Sequence, residues 1–333
     1  MKDRIAIIGD GAWATVCAIM LCRNGQSVCL WSPFAEAAED LRTRRQNRKY
    51  LPGVALPDSL EITGDDSQAL AGADWVLQAI PTQFIRGAWQ RLRPHCPPEL
   101  PVCSVAKGIE NHTLLRPTQV LLDVLGGGSS RVAALSGPSI APEVAGGLPA
   151  TGVAAGEDAR FVERVQTSIS RPYFRVYTNN DLTGVELAGA TKNVIAVAAG
   201  ILDGLAMGDN AKAALLTRGL VEITRLGLAL GARQETFFGL AGMGDLVTTC
   251  ISPIGRNRSF GEAVGRGKSV KDALAESHGV VEGVATAASV MELAKRAGVA
   301  MPITQATFDV LFAGQSPRDA IAALMNRPLK AES

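Results

Sequence analysis

Four apolar residues, Ile5-Ala6-Ile7-Ile8, run directly into Gly9-Asp10-Gly11 and then into a helix-length stretch that opens at Ala12. A short, unbroken apolar run bounded by glycine fits a strand buried on both faces, as in a parallel sheet. In Gly9-x-Gly11-x-x-Ala14, the first glycine permits a tight turn and the second lets the backbone approach a pyrophosphate. The small Ala14 lets the helix pack close to the strand while its first N–H groups face the anion. A glycine turn with no ligand is the plainer alternative. A second apolar strand, Val28 to Trp31, follows once Asn24-Gly25 has closed the helix, and that order favours a dinucleotide site.

In NAD-specific folds an acidic residue about 20 positions on, at the end of the second strand, bonds the adenosine ribose. Here that place reads Trp31-Ser32-Pro33, with Arg42, Arg44, Arg45 and Arg48 shortly downstream. The missing carboxylate removes the usual selection against a 2′-phosphate, so NADP is admitted beside NAD. The arginines read equally as a solvated helix face. Asp10, beside the pyrophosphate position, would be repulsive if it pointed inward and is expected to face solvent.

Trp75 to Ile80, Val102 to Val105, Val132 to Leu135, Gly152 to Ala155 and Phe174 to Tyr177 are further strand candidates, the earlier ones separated by helix-length segments. Such alternation builds a parallel sheet, because each crossover returns the chain to the same end of the next strand. From about Asn180 the pattern turns helical: Thr183 to Leu205, Asn210 to Leu230, Ser259 to Val264, Ala285 to Ala297 and Thr304 to Phe312. The 333 residues suit two domains. The predicted fold class is therefore α/β, with an N-terminal Rossmann-like, mostly parallel sheet over 1–180 and a C-terminal all-α domain over 181–333.

The net charge of +1 supplies no global field toward nucleic acid or anionic lipid. Six scattered cysteines form no C-x-x-C pair and only three histidines accompany them, so reduced thiols and no metal centre are expected. No signal peptide is evident at the N-terminus, and the longest apolar run, Val194 to Leu202, is too short to cross a bilayer. A cytoplasmic location follows as the expectation.

Two further stretches carry chemistry. Lys192 lies with Glu186 and Asn193 in a helix otherwise made almost entirely of Ala, Gly, Val, Ile and Leu. Burial disfavours an ammonium and brings its pKa toward the working range of a general acid or base if a carboxylate is near enough to tune it. A lysine reaching out to the surface is the alternative. Gly239 to Cys250 reads as a glycine-rich loop carrying Asp245, followed by Gly255-Arg256-Asn257-Arg258. A guanidinium, an amide and helix N–H groups there suit an anion, or simply a basic helix start.

Taken in order, Gly9 to Ala14, Lys107-Gly108-Ile109-Glu110, Leu135-Ser136-Gly137-Pro138-Ser139, Glu186 to Gly200, Gly208-Asp209-Asn210-Ala211-Lys212, Gly242-Met243-Gly244-Asp245-Leu246 and Arg256-Asn257-Arg258 narrow the reading. This arrangement resembles the NAD(P)-dependent sn-glycerol-3-phosphate dehydrogenase family of bacteria, from Ile5 to about Phe312. The resemblance implies reversible reduction of dihydroxyacetone phosphate to sn-glycerol 3-phosphate, a phospholipid precursor, with NADPH or NADH as cofactor. It implies Lys192 as proton donor and acceptor, Asp245 as the group that holds it, and Lys107 as a contact to both substrate and cofactor. Gly137, Ser139, Gly255, Arg256 and Asn257 would bind substrate with them. Cofactor contacts would come from Gly9, Gly11, Ala12, Trp13, Pro33, Tyr50, Lys107, Ala141, Arg256, Val280 and Glu282. The partner implied is a small molecule, with a homodimer admitted.

Departures from the family pattern are Asp10 in place of the commoner alanine, Ala14 for glycine, Pro33 for a basic or polar residue, and Gly255 for a serine. A related hydroxyacid dehydrogenase, or a dinucleotide sensor without turnover, are the alternatives on the same fold.

Overall fold

The computed structural model describes residues 2–277, 279–329 and 331. One eight-stranded sheet occupies the N-terminal half: β1 (Arg4–Ile8), β2 (Ser27–Trp31), β3 (Glu61–Thr63), β4 (Trp75–Gln78), β5 (Val102–Ser104), β6 (Val132–Ser136), β7 (Ala150–Gly156) and β8 (Phe174–Asn179). Their spatial order is β3-β2-β1-β4-β5-β6-β7-β8. Every neighbouring pair is parallel except β6 and β7. The order reverses beside β1, between β2 on one side and β4 on the other, and the crevice outside the carboxyl ends of strands at such a point is where ligands bind. The glycine turn lies in that crevice. Gly9 has φ +120°, and a Cβ there would stand 3.0 Å from the carbonyl oxygen of Ala79, just past β4. No side chain fits either the dihedral or the gap.

The strands predicted from Trp75 to Ile80 and from Val102 to Val105 stop earlier, at Gln78 and Ser104. The Gln78 side chain both accepts from the Ile80 N–H and donates to the Ile80 carbonyl, so the backbone there bonds locally and leaves the ladder. β3 was not predicted; three residues carry too little alternation to stand out.

Beyond β8 every described element is helical. The central one, Leu182–Gly204, is capped by Asp181, whose Oδ1 accepts from the Gly184 N–H at 2.8 Å. Its ends lie within one residue of the predicted Thr183 to Leu205. By length and composition alone it would suffice to cross a bilayer, but 94% of its apolar window is buried inside the protein. It is the core helix around which the second half packs. Helices Gly208–Ala229, Arg256–Gly265, Glu282–Arg296 and Pro302–Phe312 surround it.

The stretch 239–250 corrects the sequence reading. It is no loop: Leu240–Gly244 forms a π-helical turn and Asp245–Ile251 an α-helix. Gly242 there serves close packing, since a Cβ on it would lie 2.0 Å from the carbonyl oxygen of Phe237. All six cysteines are free thiols.

Candidate active site

The core helix carries Lys192 in its middle, only 5% exposed. Its ammonium donates to Asp245 Oδ1 at 2.6 Å and to the Thr249 hydroxyl. The other carboxylate oxygen, Asp245 Oδ2, accepts from Lys107 Nζ at 2.7 Å. Lys107 in turn donates to the Gly137 carbonyl at 2.9 Å and to the Ser139 hydroxyl at 3.2 Å. One buried carboxylate therefore joins two ammoniums, one from the sheet side and one from the helical side. The sequence prediction for Lys107, Gly137, Ser139, Lys192 and Asp245 places five residues from four segments, and the fold brings all five into one connected network.

The charges in this network hold each other in place. Burial lowers the Lys192 pKa, Asp245 pulls it back up, and the neighbouring Lys107 lowers it again, leaving it at about 8. Burial pushes the Asp245 carboxyl up, but the two lysines outweigh it and leave the group below its ordinary value. A lysine poised near neutral pH is suited to both give and take a proton. The Cys250 thiol nearby is pushed up to about 12 by burial and stays inert.

Glu186, considered as the carboxylate that tunes Lys192, does something else. Its oxygens accept from the Thr118 N–H at 2.8 Å, the Thr118 hydroxyl at 2.6 Å and the Arg116 guanidinium. It ties the core helix to the start of helix Pro117–Leu125 instead. Six residues separate Glu186 from Lys192, and the i,i+6 spacing points side chains to different sides of a helix.

Asn193 extends the site toward the anion segment. It donates to the Lys107 carbonyl at 2.9 Å, and its Oδ1 accepts from Asn257 Nδ2 at 2.9 Å. Asn257 Oδ1 accepts from the Gly283 N–H. Gly255 caps the helix that begins at Arg256, with no side-chain cap, so the first N–H groups of that helix remain open to an anion. Arg256 reaches across to Gly279, where an added Cβ would lie 3.1 Å from its Nη1 and 3.9 Å from the Tyr50 ring. Tyr50 and Arg256 thus converge from opposite halves of the chain. Thr249 was missed, because only the helical form of 245–251 puts it one turn beyond Asp245 and on the same face.

The predicted cofactor residues divide between two places. Gly9, Gly11, Ala12 and Trp13 stand at the switch point. Gly11 caps helix Ala12–Arg23 without a side-chain bond, and an added Cβ there would meet nothing within 4 Å. An uncapped helix start beside open space suits a pyrophosphate. Trp13 packs edge-on against Phe174, with ring centroids 5.6 Å apart. Pro33 follows β2, its carbonyl accepting from Arg91. The second place is a small cavity lined by Thr82, Gly108, Val280, Glu282 and Thr286. The hydroxyl oxygens of Thr82 and Thr286 are buried there without a partner. Burial raises the Glu282 pKa. Ala141 opens helix Ala141–Ala145. The expectation for Asp10 is corrected: its carboxylate is half-buried and accepts from the Ser32 hydroxyl at 2.7 Å instead of pointing to solvent.

Two family models match the chain, the NAD-dependent glycerol-3-phosphate dehydrogenase N-terminus over residues 4–162 and its C-terminus over 181–322. The chain belongs to the NAD-dependent glycerol-3-phosphate dehydrogenase family. A glycerol-3-phosphate dehydrogenase (NAD(P)+) from Corynebacterium glutamicum strain R is 46% identical over 329 residues, covering 98% of this chain and 99% of that protein. The protein of the same name from Geobacter sulfurreducens is 47% identical over 333 residues, covering 100% and 99%. A crystal structure of glycerol-3-phosphate dehydrogenase from Coxiella burnetii superposes with a TM-score of 0.93 at 36% identity, covering 98% and 99%. These glycerol-3-phosphate dehydrogenases span the whole chain, so the likeness covers the glycine loop and the lysine helix together. They support neither alternative, the hydroxyacid dehydrogenase nor the sensor.

Proposed function

We propose that this chain is an NAD(P)-dependent glycerol-3-phosphate dehydrogenase that reversibly reduces dihydroxyacetone phosphate to sn-glycerol 3-phosphate, a precursor of glycerophospholipids. The observation that carries this reading is the buried array Lys192–Asp245–Lys107, set between the dinucleotide crevice and the open helix start at Arg256. The nicotinamide supplies the hydride chemistry at the substrate C2 when bound.

The protein's own part begins with binding. Arg256, Asn257 and the N–H groups at their helix start hold the phosphate, the guanidinium presenting a fork that matches two of its oxygens. Gly137 and Ser139 orient the rest of the substrate, and Lys107 adds positive charge beside the carbonyl oxygen. Lys192 gives its proton to the oxygen developing on C2 during reduction and takes it back during oxidation. Asp245 stabilises the charged form of Lys192 and holds it in place. Gly9, Gly11, Ala12, Trp13, Pro33, Tyr50, Ala141, Val280 and Glu282 make up the cofactor side of this proposal, supported by the uncapped helix start at Gly11 and the unpartnered hydroxyls of Thr82 and Thr286. The division into a sheet domain over 1–180 and a helical domain over 181–333 belongs to the same reading, supported by the end of β8 at Asn179.

The experiment is an absorbance assay of both directions across pH. Because reduction needs the ammonium and oxidation the free amine, reduction should decline as pH rises through about 8, and oxidation should rise over the same interval. No oxidation of either reduced cofactor by dihydroxyacetone phosphate would overturn the assignment. Replacing Arg256 with alanine is expected to raise KM for the triose phosphate by about tenfold or more, since it removes a charge-assisted contact worth roughly 1.5–3 kcal/mol. An unchanged KM would take Arg256 out of the phosphate site.

The reading also includes a cytoplasmic location, supported by the six free thiols, and a homodimer. Val221 and Leu228, two turns apart on helix Gly208–Ala229, are exposed and suit a subunit contact. Light scattering should give twice the 34.8 kDa chain mass, and a monomer at micromolar concentration would remove this part.

A further inference from the structure

Asp10 stands between the two glycines of the first turn, and both ends of the residue are held. Its carbonyl accepts from Asn47 Nδ2 at 2.7 Å, and the buried Asn47 is itself anchored to the Thr15 hydroxyl at 2.8 Å. Its carboxylate Oδ2 accepts from Ser32 Oγ at 2.7 Å. Ser32 is fully buried, directly follows β2 and donates its N–H to the Thr63 carbonyl at the end of β3. The Asp10 carboxylate is thereby carried across from the first loop to the end of the second strand.

That is the place where a doubly wound sheet reads the adenosine ribose of a dinucleotide. A carboxylate there accepts from the ribose hydroxyls and repels a 2′-phosphate. The second strand supplies no acid of its own. The Ser32 hydroxyl occupies Oδ2 and leaves Oδ1 to accept from a ribose. Apart from Arg48, the guanidiniums that could instead clamp a 2′-phosphate have other partners. Arg42 pairs with Glu39 and Arg44 with Asp40 along their own helix. Arg45 donates to the carbonyls of Pro57 and Leu60, and Arg91 pairs with Asp66. Of the nearby cations, Lys49 lies over the Tyr50 ring and Arg48 is exposed.

We propose that Asp10, held by Ser32, reads the adenosine ribose and makes this site select NAD(H) over NADP(H). The assignment deepens the dehydrogenase reading and rests on it. Asp10 does not have a left-handed backbone, so alanine and asparagine are both compatible with its conformation.

Calorimetric titration of NAD+ and NADP+ into the wild type, Asp10→Ala and Asp10→Asn tests it, with turnover measured alongside. The wild type should bind NAD+ about tenfold or more tightly than NADP+, and either substitution should shrink that ratio by about tenfold, chiefly through tighter NADP+ binding once the like charge is gone. Asp10→Asn keeps an acceptor for the ribose and should retain more NAD+ affinity than Asp10→Ala. A wild type that favours NADP+, or a ratio shared by all three proteins, overturns the role of Asp10 while leaving the dehydrogenase reading intact. If the wild type binds neither cofactor, both fall.

Discussion

Replacing Lys192 with alanine should lower turnover in both directions by about 10²- to 10⁴-fold, the range for a positioned general acid or base. The substrate KM should change much less, because the proposed phosphate contacts lie on a different helix, Arg256–Gly265. The variant keeps a partner for its buried carboxylate, since Asp245 still accepts from Lys107 at 2.7 Å. A fold collapse is therefore not the expected cause of lost activity, and a circular dichroism melt separates the two. Lys192→Arg makes the test sharper. It retains the positive charge but cannot release a proton near neutral pH, so it should be nearly as impaired as alanine. Turnover within a few-fold of wild type in both variants would remove Lys192 from the proton path.

A valine at Gly261 should destabilise the protein by about 3 kcal/mol or more, at or beyond the upper end of what overpacking usually costs. The core helix and helix Arg256–Gly265 cross with glycines at four contact positions. A Cβ on Gly200 would lie 1.9 Å from the carbonyl oxygen of Arg258, on Gly204 2.3 Å from that of Glu262, on Gly261 2.1 Å from that of Val197, and on Gly265 2.4 Å from that of Ile201. Each pair of glycines is four residues apart, so both lie on one face of their helix. The backbones meet directly, and a single added side chain must push them apart.

That displacement reaches the site. Arg256 and Asn257 ride on the first turn of the helix being moved, while Lys192 and Asn193 ride on its partner. Gly261→Val should therefore raise the substrate KM as well as lower the denaturation midpoint. Gly87→Ala is the control. Gly87 lies within helix Thr82–Leu92, and a Cβ there would meet nothing within 4 Å. Alanine should stabilise that helix by up to about 1 kcal/mol. Equal losses at the two positions would show that the tight crossing is not what makes Gly261 necessary.

The strand, turn and helix at the N-terminus were legible because each depends on near neighbours: an apolar run, a glycine that can take φ +120°, and a small residue one turn later. The helical character of the second half was legible for the same reason, as was the isolation of Lys192 in an apolar helix. Local pattern also misled where glycine had two meanings. In 239–250 it resembled a loop, but Gly242 lets a helical turn pack against the Phe237 backbone, which depends on what lies opposite.

The partner of each buried charge could not be read this way. Lys107 and Asp245 are 138 residues apart in sequence, and Lys192 and Asp245 are 53 apart. Glu186 was a nearer carboxylate to Lys192 along the chain, yet it turned to Arg116 and Thr118. Asp10 likewise found Ser32, 22 residues on, because β1 and β2 lie side by side. The sequence alone was enough for the dinucleotide turn, the α/β order and the residues that gather around Lys192. Which carboxylate meets which lysine came only from packing, because a buried charge is stabilised by the groups that folding places within a few ångströms of it, wherever they lie in the chain.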